Sequence, residues 1–181
     1  MTRILVLLAS LLLPAFSQAS PAQLLKELQA STWVAEGPQQ PQRVAYLFTD
    51  MACPYCARLW QQMQPLLQDP ANTLQVRSII VGLINPQTSF TQGAAVLAAD
   101  DPADALARHE NHYRQGGIAP LEPVPAAQRQ AIVANTRLMM SLGLSGTPTL
   151  IFQDRQHHWR VARGLVDVRD LRDAVFQLDA Q

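Results

Sequence analysis

Cys53-Pro54-Tyr55-Cys56 contains both cysteines of this 181-residue chain. The spacing suits redox exchange better than structural cross-linking: a disulfide stabilises by closing a loop in the unfolded chain, and a four-residue loop contributes only about 2 kcal/mol, against about 3 for fifteen residues. The pair is therefore read as reactive. A cysteine at the first turn of a helix meets unpaired backbone N–H groups and the positive end of the helix dipole, both of which favour thiolate over thiol. Cys53 fits that position, because Pro54 suits the first helical residue, where a missing N–H loses no intrahelical partner. Cys56 falls one turn inward on the same side, within bonding reach of Cys53 and shielded from a protein substrate. Cys53 is expected to attack and Cys56 to resolve, with Pro54 and Tyr55 between them as substrate-contacting residues and Tyr55 exposed.

Thr147-Pro148 is the second chemical feature. A proline between a glycine turn and a buried strand cannot donate to the sheet, so it belongs at a strand start or a bulge. A cis bond there leaves the Thr147 backbone free to pair with an extended substrate. From these residues alone an ordinary turn proline is the commoner reading, since only about 5 % of X-Pro bonds are cis.

Positioning these residues requires a strand and helix on either side of the cysteines. Val44-Ala45-Tyr46-Leu47-Phe48-Thr49 is an apolar run of strand length, and Ala57 to Leu67 places apolar residues at helical spacing, so the cysteines fall at a strand-to-helix junction. Leu74 to Leu83 reads as a second buried strand. Helices are predicted over Thr91 to Ala99, Pro102 to Tyr113 and Pro125 to Leu142, which is more helix than a simple crossover needs. Thr149 to Phe152 and His158 to Ala162 form a predicted hairpin, and Val168 to Leu178 a closing helix. Upstream, Leu24, Leu25 and Leu28 suggest a short amphipathic helix that Gly37-Pro38-Gln39-Gln40-Pro41 breaks. The fold class is α/β, with residues 20–42 as a short lead-in, a domain over 43–181, and a helical insertion over about 85–143.

Residues 1–19 are set apart from the fold. Arg3, the apolar run Ile4 to Leu13, and the small residues of Ser17-Gln18-Ala19 read as an export signal cleaved after Ala19. About ten apolar residues are too few for a bilayer that needs about twenty, so no stable membrane anchor is expected. Removing these nineteen leaves 162 residues, enough for one domain with a sizeable core. The whole chain carries 14 basic and 14 acidic residues, which gives no electrostatic case for nucleic acid as a partner. Export places the cysteines where disulfides persist, in a bacterium the periplasm.

The run Val44 to Asp50 leading into Cys-Pro-Tyr-Cys, then Trp60-Gln61-Gln62, resembles the catalytic domain of the DsbC/DsbG family of periplasmic thiol:disulfide interchange proteins, its DsbG-like members most of all. Val81-Gly82-Leu83-Ile84, the helical insertion and Gly146-Thr147-Pro148 agree in order and spacing, so the resemblance covers most of Trp33 to Leu178. It implies a thioredoxin fold with a helical insertion between the second strand and the cis-proline loop, Cys53 and Cys56 as the redox-active pair, and Thr147-Pro148 facing them. It also implies reduction or isomerisation of disulfides in exported cysteine-containing proteins, rescue of sulfenylated cysteines, recharging by a membrane reductase of the DsbD type, and no cofactor. Two departures stand out. The family carries an N-terminal dimerisation domain where only 23 residues, Ser20 to Gln42, precede the first strand here, so a monomer is expected. Thioredoxins carry a buried acid six residues before the first cysteine, and Leu47 occupies that place, leaving proton transfer to solvent or other groups.

Other readings of the same residues stay in view. The chain could act as a DsbA-like dithiol oxidant, or as a periplasmic chaperone or copper-binding module using its thiols to bind. His109 with His112, and His157-His158, read as surface histidines, because no cysteine or carboxylate cluster accompanies them; no metal site is expected. Trp33 and Trp60 read as packing residues. Asp50 either tempers the Cys53 thiolate or caps the helix.

Overall fold

The computed structural model describes residues 21–178. The expected leader lies outside them, as do residues 179–181.

Strand β2 (Arg43–Thr49) runs parallel to β3 (Leu74–Ile80), and helix α2 (Pro54–Leu67) makes the crossover between them. Parallel strands cannot be joined by a tight turn, so this βαβ unit sets the frame for the rest of the sheet. Strand β4 (Thr149–Gln153) pairs antiparallel with the free edge of β2, and β5 (Trp159–Arg163) closes the predicted hairpin against β4. The fifth strand is one the sequence reading did not anticipate. Strand β1 (Val34–Glu36) pairs antiparallel with β3, so part of the 20–42 lead-in belongs to the sheet, whose order is β1-β3-β2-β4-β5. Three residues are too few to show a period-two pattern, which is why β1 leaves no clear trace in the sequence.

Alternation along β2 decides what covers each face of the sheet. Ala45 and Leu47 join Leu59, Met63 and Leu66 of α2, together with Leu171, Val175 and Phe176 of the closing helix. Tyr46 and Phe48 point the other way, into a cluster with Leu28 of α1 (Pro21–Ala30) and Met139 of α5 (Ala126–Ser141). The closing helix begins as a single α-turn, α6 (Val168–Asp170), and continues as a π-helical segment, Leu171–Phe176.

The insertion between β3 and β4 contains α3 (Pro86–Leu97), α4 (Pro102–Asn111), a 3₁₀ turn (Tyr113–Gln115) and α5. Helix α3 starts five residues before the predicted Thr91, because the Asn85 side chain accepts the Thr88 N–H at 3.2 Å and Pro86 takes the first helical position. Asp101 caps α4 in the same way, accepting the Asp104 N–H at 3.0 Å ahead of Pro102. Met51, from the loop before the cysteines, is buried with Val96, Ala105, Leu106 and Ile132 of the insertion. This contact ties the inserted helices to the reactive loop. No helix among the described residues is long and apolar enough to cross a membrane.

Candidate active site

The strand-to-helix junction places Cys53 as the N-cap of α2, with Pro54 at the first helical position. Its carbonyl accepts the N–H groups of Cys56 and Ala57, at 3.1 and 3.3 Å, while its own N–H donates to the Asp50 carbonyl at 2.9 Å. The Cys53 sulfur faces the Thr147 carbonyl oxygen at 3.4 Å, and the Thr147-Pro148 bond is cis. The loop and the dithiol therefore meet as the sequence reading anticipated. Exposure across the motif is uneven. Cys53 is only 1 % exposed and Cys56 is fully buried, because the first sulfur turns in against Thr147; Tyr55, at 59 %, is the exposed member of the motif.

Geometry makes the two thiols unequal. Cys53 is lowered from the ordinary 9.0 to about 6, first because the Cys56 thiol donates to it, with further help from the Thr147 side chain and the N–H groups of Cys56 and Tyr55, against the opposing effect of burial. Cys56 is pushed well up, mainly by burial and then by the donated bond and the charge of Cys53. Among the described residues the buried hydroxyls of Thr49 and Thr147 have no hydrogen-bond partner, which leaves each available to an ionised sulfur. Thr49 favours the thiolate of Cys56, and Thr147 that of Cys53.

The loop leading into Cys53 is clamped residue by residue. Asp50, 1 % exposed, accepts four hydrogen bonds: from Ala52 N–H (2.8 Å) and the Ser89 hydroxyl (2.6 Å) on one oxygen, and from Leu83 and Ile84 N–H (2.7 and 3.0 Å) on the other. It thus does not cap α2; it ties the loop to the end of β3 and the start of α3. Its neighbours are held from the insertion. His109 donates from Nε2 to the Met51 carbonyl (2.9 Å), and the Tyr113 hydroxyl donates to the Ala52 carbonyl (3.0 Å).

His109 corrects the surface reading. It is 1 % exposed, accepts the Ile118 N–H on Nδ1 at 3.3 Å, and is held below its usual pKa by burial. Its two partners fix the neutral tautomer. Gly117 lies against the ring at a φ of +71°, and a Cβ there would sit 2.5 Å from Nδ1. His112 and His158 are exposed, and among the described residues no group of three or more His, Cys, Asp and Glu is placed to share a metal. Trp60 and Trp33 pack as expected: Trp60 is buried and donates to Glu36 at 2.8 Å, while the Arg77 guanidinium lies 4.3 Å over the Trp33 ring.

Two carboxyls missed by the sequence reading are enclosed by the fold. Leu47 is an apolar core residue, but Glu36 on β1 is enclosed by Trp60, Gln64 and Ser78, and Glu110 on α4 is 1 % exposed. Burial raises both, and Glu110 is raised further by the charges of Glu36 and Cys53. Each therefore favours its protonated form.

The family described as a thioredoxin-like domain matches residues 28–178, most of the chain. This chain belongs to that family. The thioredoxin-like chain is 34 % identical over 142 residues to the thiol:disulfide interchange protein DsbG of Pseudomonas aeruginosa, covering 78 % of this chain and 54 % of that protein. With DsbG of Escherichia coli it shares 31 % identity over 153 residues, covering 82 % and 59 % respectively. It thus spans little more than half the length of these relatives. Among solved structures, a periplasmic thioredoxin-like protein from Salmonella enterica serovar Typhimurium superposes with a TM-score of 0.69 at 20 % identity, covering 88 % of this chain and 97 % of that one. The catalytic domain of Proteus mirabilis ScsC follows at 0.66 and 18 %, covering 83 % and 92 %. At these identities the likeness establishes the thioredoxin-like fold.

Proposed function

We propose that this chain is an exported thiol:disulfide oxidoreductase of the DsbG type, reducing or isomerising disulfides of exported proteins through Cys53 and Cys56. The observation that carries the reading is the inequality of the two thiols: a helix-capping Cys53 lowered to about 6, backed by a Cys56 held protonated.

The chemistry follows from that inequality. Cys53 thiolate attacks one sulfur of a substrate disulfide, forming a mixed disulfide and expelling the other substrate sulfur as thiolate, which takes up a proton. Negative charge has then left Cys53, so the main electrostatic obstacle to ionising Cys56 is removed. Cys56 gives up its proton and attacks Cys53 Sγ. The substrate leaves as a second thiol and the protein holds the disulfide: two electrons have passed to the substrate. Isomerisation takes the alternative exit, in which a substrate thiolate attacks the mixed disulfide and returns Cys53 unchanged. A sulfenylated cysteine enters the same route, with hydroxide expelled as water in place of the first thiolate. With Leu47 in place of an acid and both Glu36 and Glu110 pushed toward their protonated forms by burial, the Cys56 proton passes to solvent or to the departing substrate thiolate. Net reduction needs an external dithiol, a role that fits a membrane reductase of the DsbD type.

Oxidation is the second reading, favoured by the same low Cys53 pKa, because a stabilised thiolate favours the reduced form and makes the disulfide a better oxidant. The redox state of the pair in cells separates the two, read by alkylation and gel shift. A mostly reduced pair supports reductase or isomerase action, and a mostly oxidised pair supports the oxidant. A Cys56→Ala variant should accumulate mixed disulfides with exported proteins, and absence of any adduct would count against both readings. Gel filtration reads the monomer expected from the sequence.

A further inference from the structure

A cleft of about 660 Å³ opens beside the exposed end of the reactive motif, between the first turns of α2 and the 3₁₀ turn of the insertion. Tyr55, Arg58, Gln61, Tyr113 and Arg114 line it. Arg58 and Arg114 are exposed and form no ion pair or hydrogen bond among the described residues. The cleft lining includes no carboxylate, and Glu110, four residues before Arg114, is buried. The positive charge here is local, since the chain as a whole has a formal net charge of zero.

We infer that this cleft is a subsite for an acidic segment of the substrate protein lying next to the cysteine under attack. The inference rests on the thiol-exchange reading and names its substrate preference. Pro54 and Tyr55 connect the cleft directly to Cys53, so a chain whose sulfur is bonded there can continue between Tyr55 and Tyr113 and present a carboxylate to the two guanidinium groups. Planar guanidinium forks match carboxylate geometry, and the tyrosine faces give the intervening backbone an ordered surface of low entropic cost. The pairs are exposed, so their effect is modest and salt-sensitive. It acts on encounter and register more than on the chemical step.

Three disulfide-bonded peptides, identical except for acidic, neutral or basic residues flanking the cysteine, test this with the reduced protein. The second-order rate of reduction should favour the acidic over the basic peptide by about three- to tenfold at low salt, with the difference collapsing by 0.5 M salt, on the order expected for two exposed pairs. In the doubly reversed Arg58→Glu, Arg114→Glu protein the order should invert. Equal rates for acidic and basic peptides, or an order unchanged by the reversal, would overturn the subsite while leaving thiol exchange standing. Failure to reduce any of the three would instead remove the exchange reading on which it rests.

Discussion

The sulfur of Cys53 lies 3.4 Å from the carbonyl oxygen of Thr147, across 94 residues of sequence. That contact joins the N-terminus of α2 to the entrance of β4, and it brings the two chemically suggestive motifs of the chain to one point. It also covers the attacking sulfur, which is why Cys53 is as enclosed as its partner although it caps a helix.

The titration of Cys53 has an ordered set of causes, and removing them should act in that order. Iodoacetamide labelling of the reduced protein should rise with a midpoint near pH 6 and lose rate below it, the thiolate being the reactive species, while Cys56 stays unlabelled through neutral pH. Cys56→Ala removes the largest favourable cause and should move the midpoint upward; Thr147→Val should move it upward by less. A larger shift from Thr147→Val than from Cys56→Ala would contradict this ranking.

Glu110 supplies a stability test with a definite sign. Burial raises its folded-state pKa above the ordinary 4.5, so the folded protein binds the proton more tightly than the unfolded chain does. Its contribution to stability is intact below pH 4.5 and declines as the pH climbs toward the folded-state value. Glu110→Gln should therefore be close to neutral at pH 4 and gain on the wild type by about 1.4 kcal/mol for each pH unit between the two pKa values. Urea unfolding of both proteins from pH 4 to 9 measures the divergence, and parallel curves would refute it.

Gly117 and His109 form a unit. The positive φ and the 2.5 Å approach to Nδ1 leave no room for a methyl group, so Gly117→Ala should cost about 2–4 kcal/mol by urea unfolding. Part of that cost comes from the ring itself. The double variant with His109→Ala should lose less than the sum of the two single losses, whereas strict additivity would mean the two residues are uncoupled.

Asp50 should be similarly intolerant. In Asp50→Asn the amide nitrogen cannot accept from Leu83 and Ile84, and reversing the amide turns the same conflict onto Ala52 and Ser89. A loss of about 2–4 kcal/mol is expected from the buried donors left unpaired. A urea midpoint unchanged from wild type would show that the loop is held by other contacts.

Local patterns carried the main elements of the fold. The apolar run Val44 to Thr49, the proline after Cys53 and the glycine-proline break before Thr149 each mark an element boundary within a few residues, and strands and helices formed where those signals lie. What stayed hidden depends on long-range packing. His109 looked like a surface residue because its partner, Met51, is 58 positions away and a single histidine on a helix carries no sign of it. Gly117, whose missing side chain makes room for the ring, was the available clue. Glu36 and Glu110 were invisible for the same reason: a charged residue is assigned to the surface until the fold shows what encloses it. Asp50 was legible as important but not in its role, because its acceptors serve three segments that only the sheet and insertion bring together.

Insulin reduction, followed as precipitation of the freed chains in the presence of dithiothreitol, tests the central claim most directly, with purified wild type beside Cys53→Ser and Cys56→Ser. The wild type should accelerate precipitation well above the uncatalysed rate and Cys53→Ser should give none, because no other thiol has both the lowered pKa and the helix-cap position. Cys56→Ser should stall as a mixed disulfide that dithiothreitol releases only slowly. Undiminished catalysis by Cys53→Ser would contradict the assignment of this dithiol as the reactive centre.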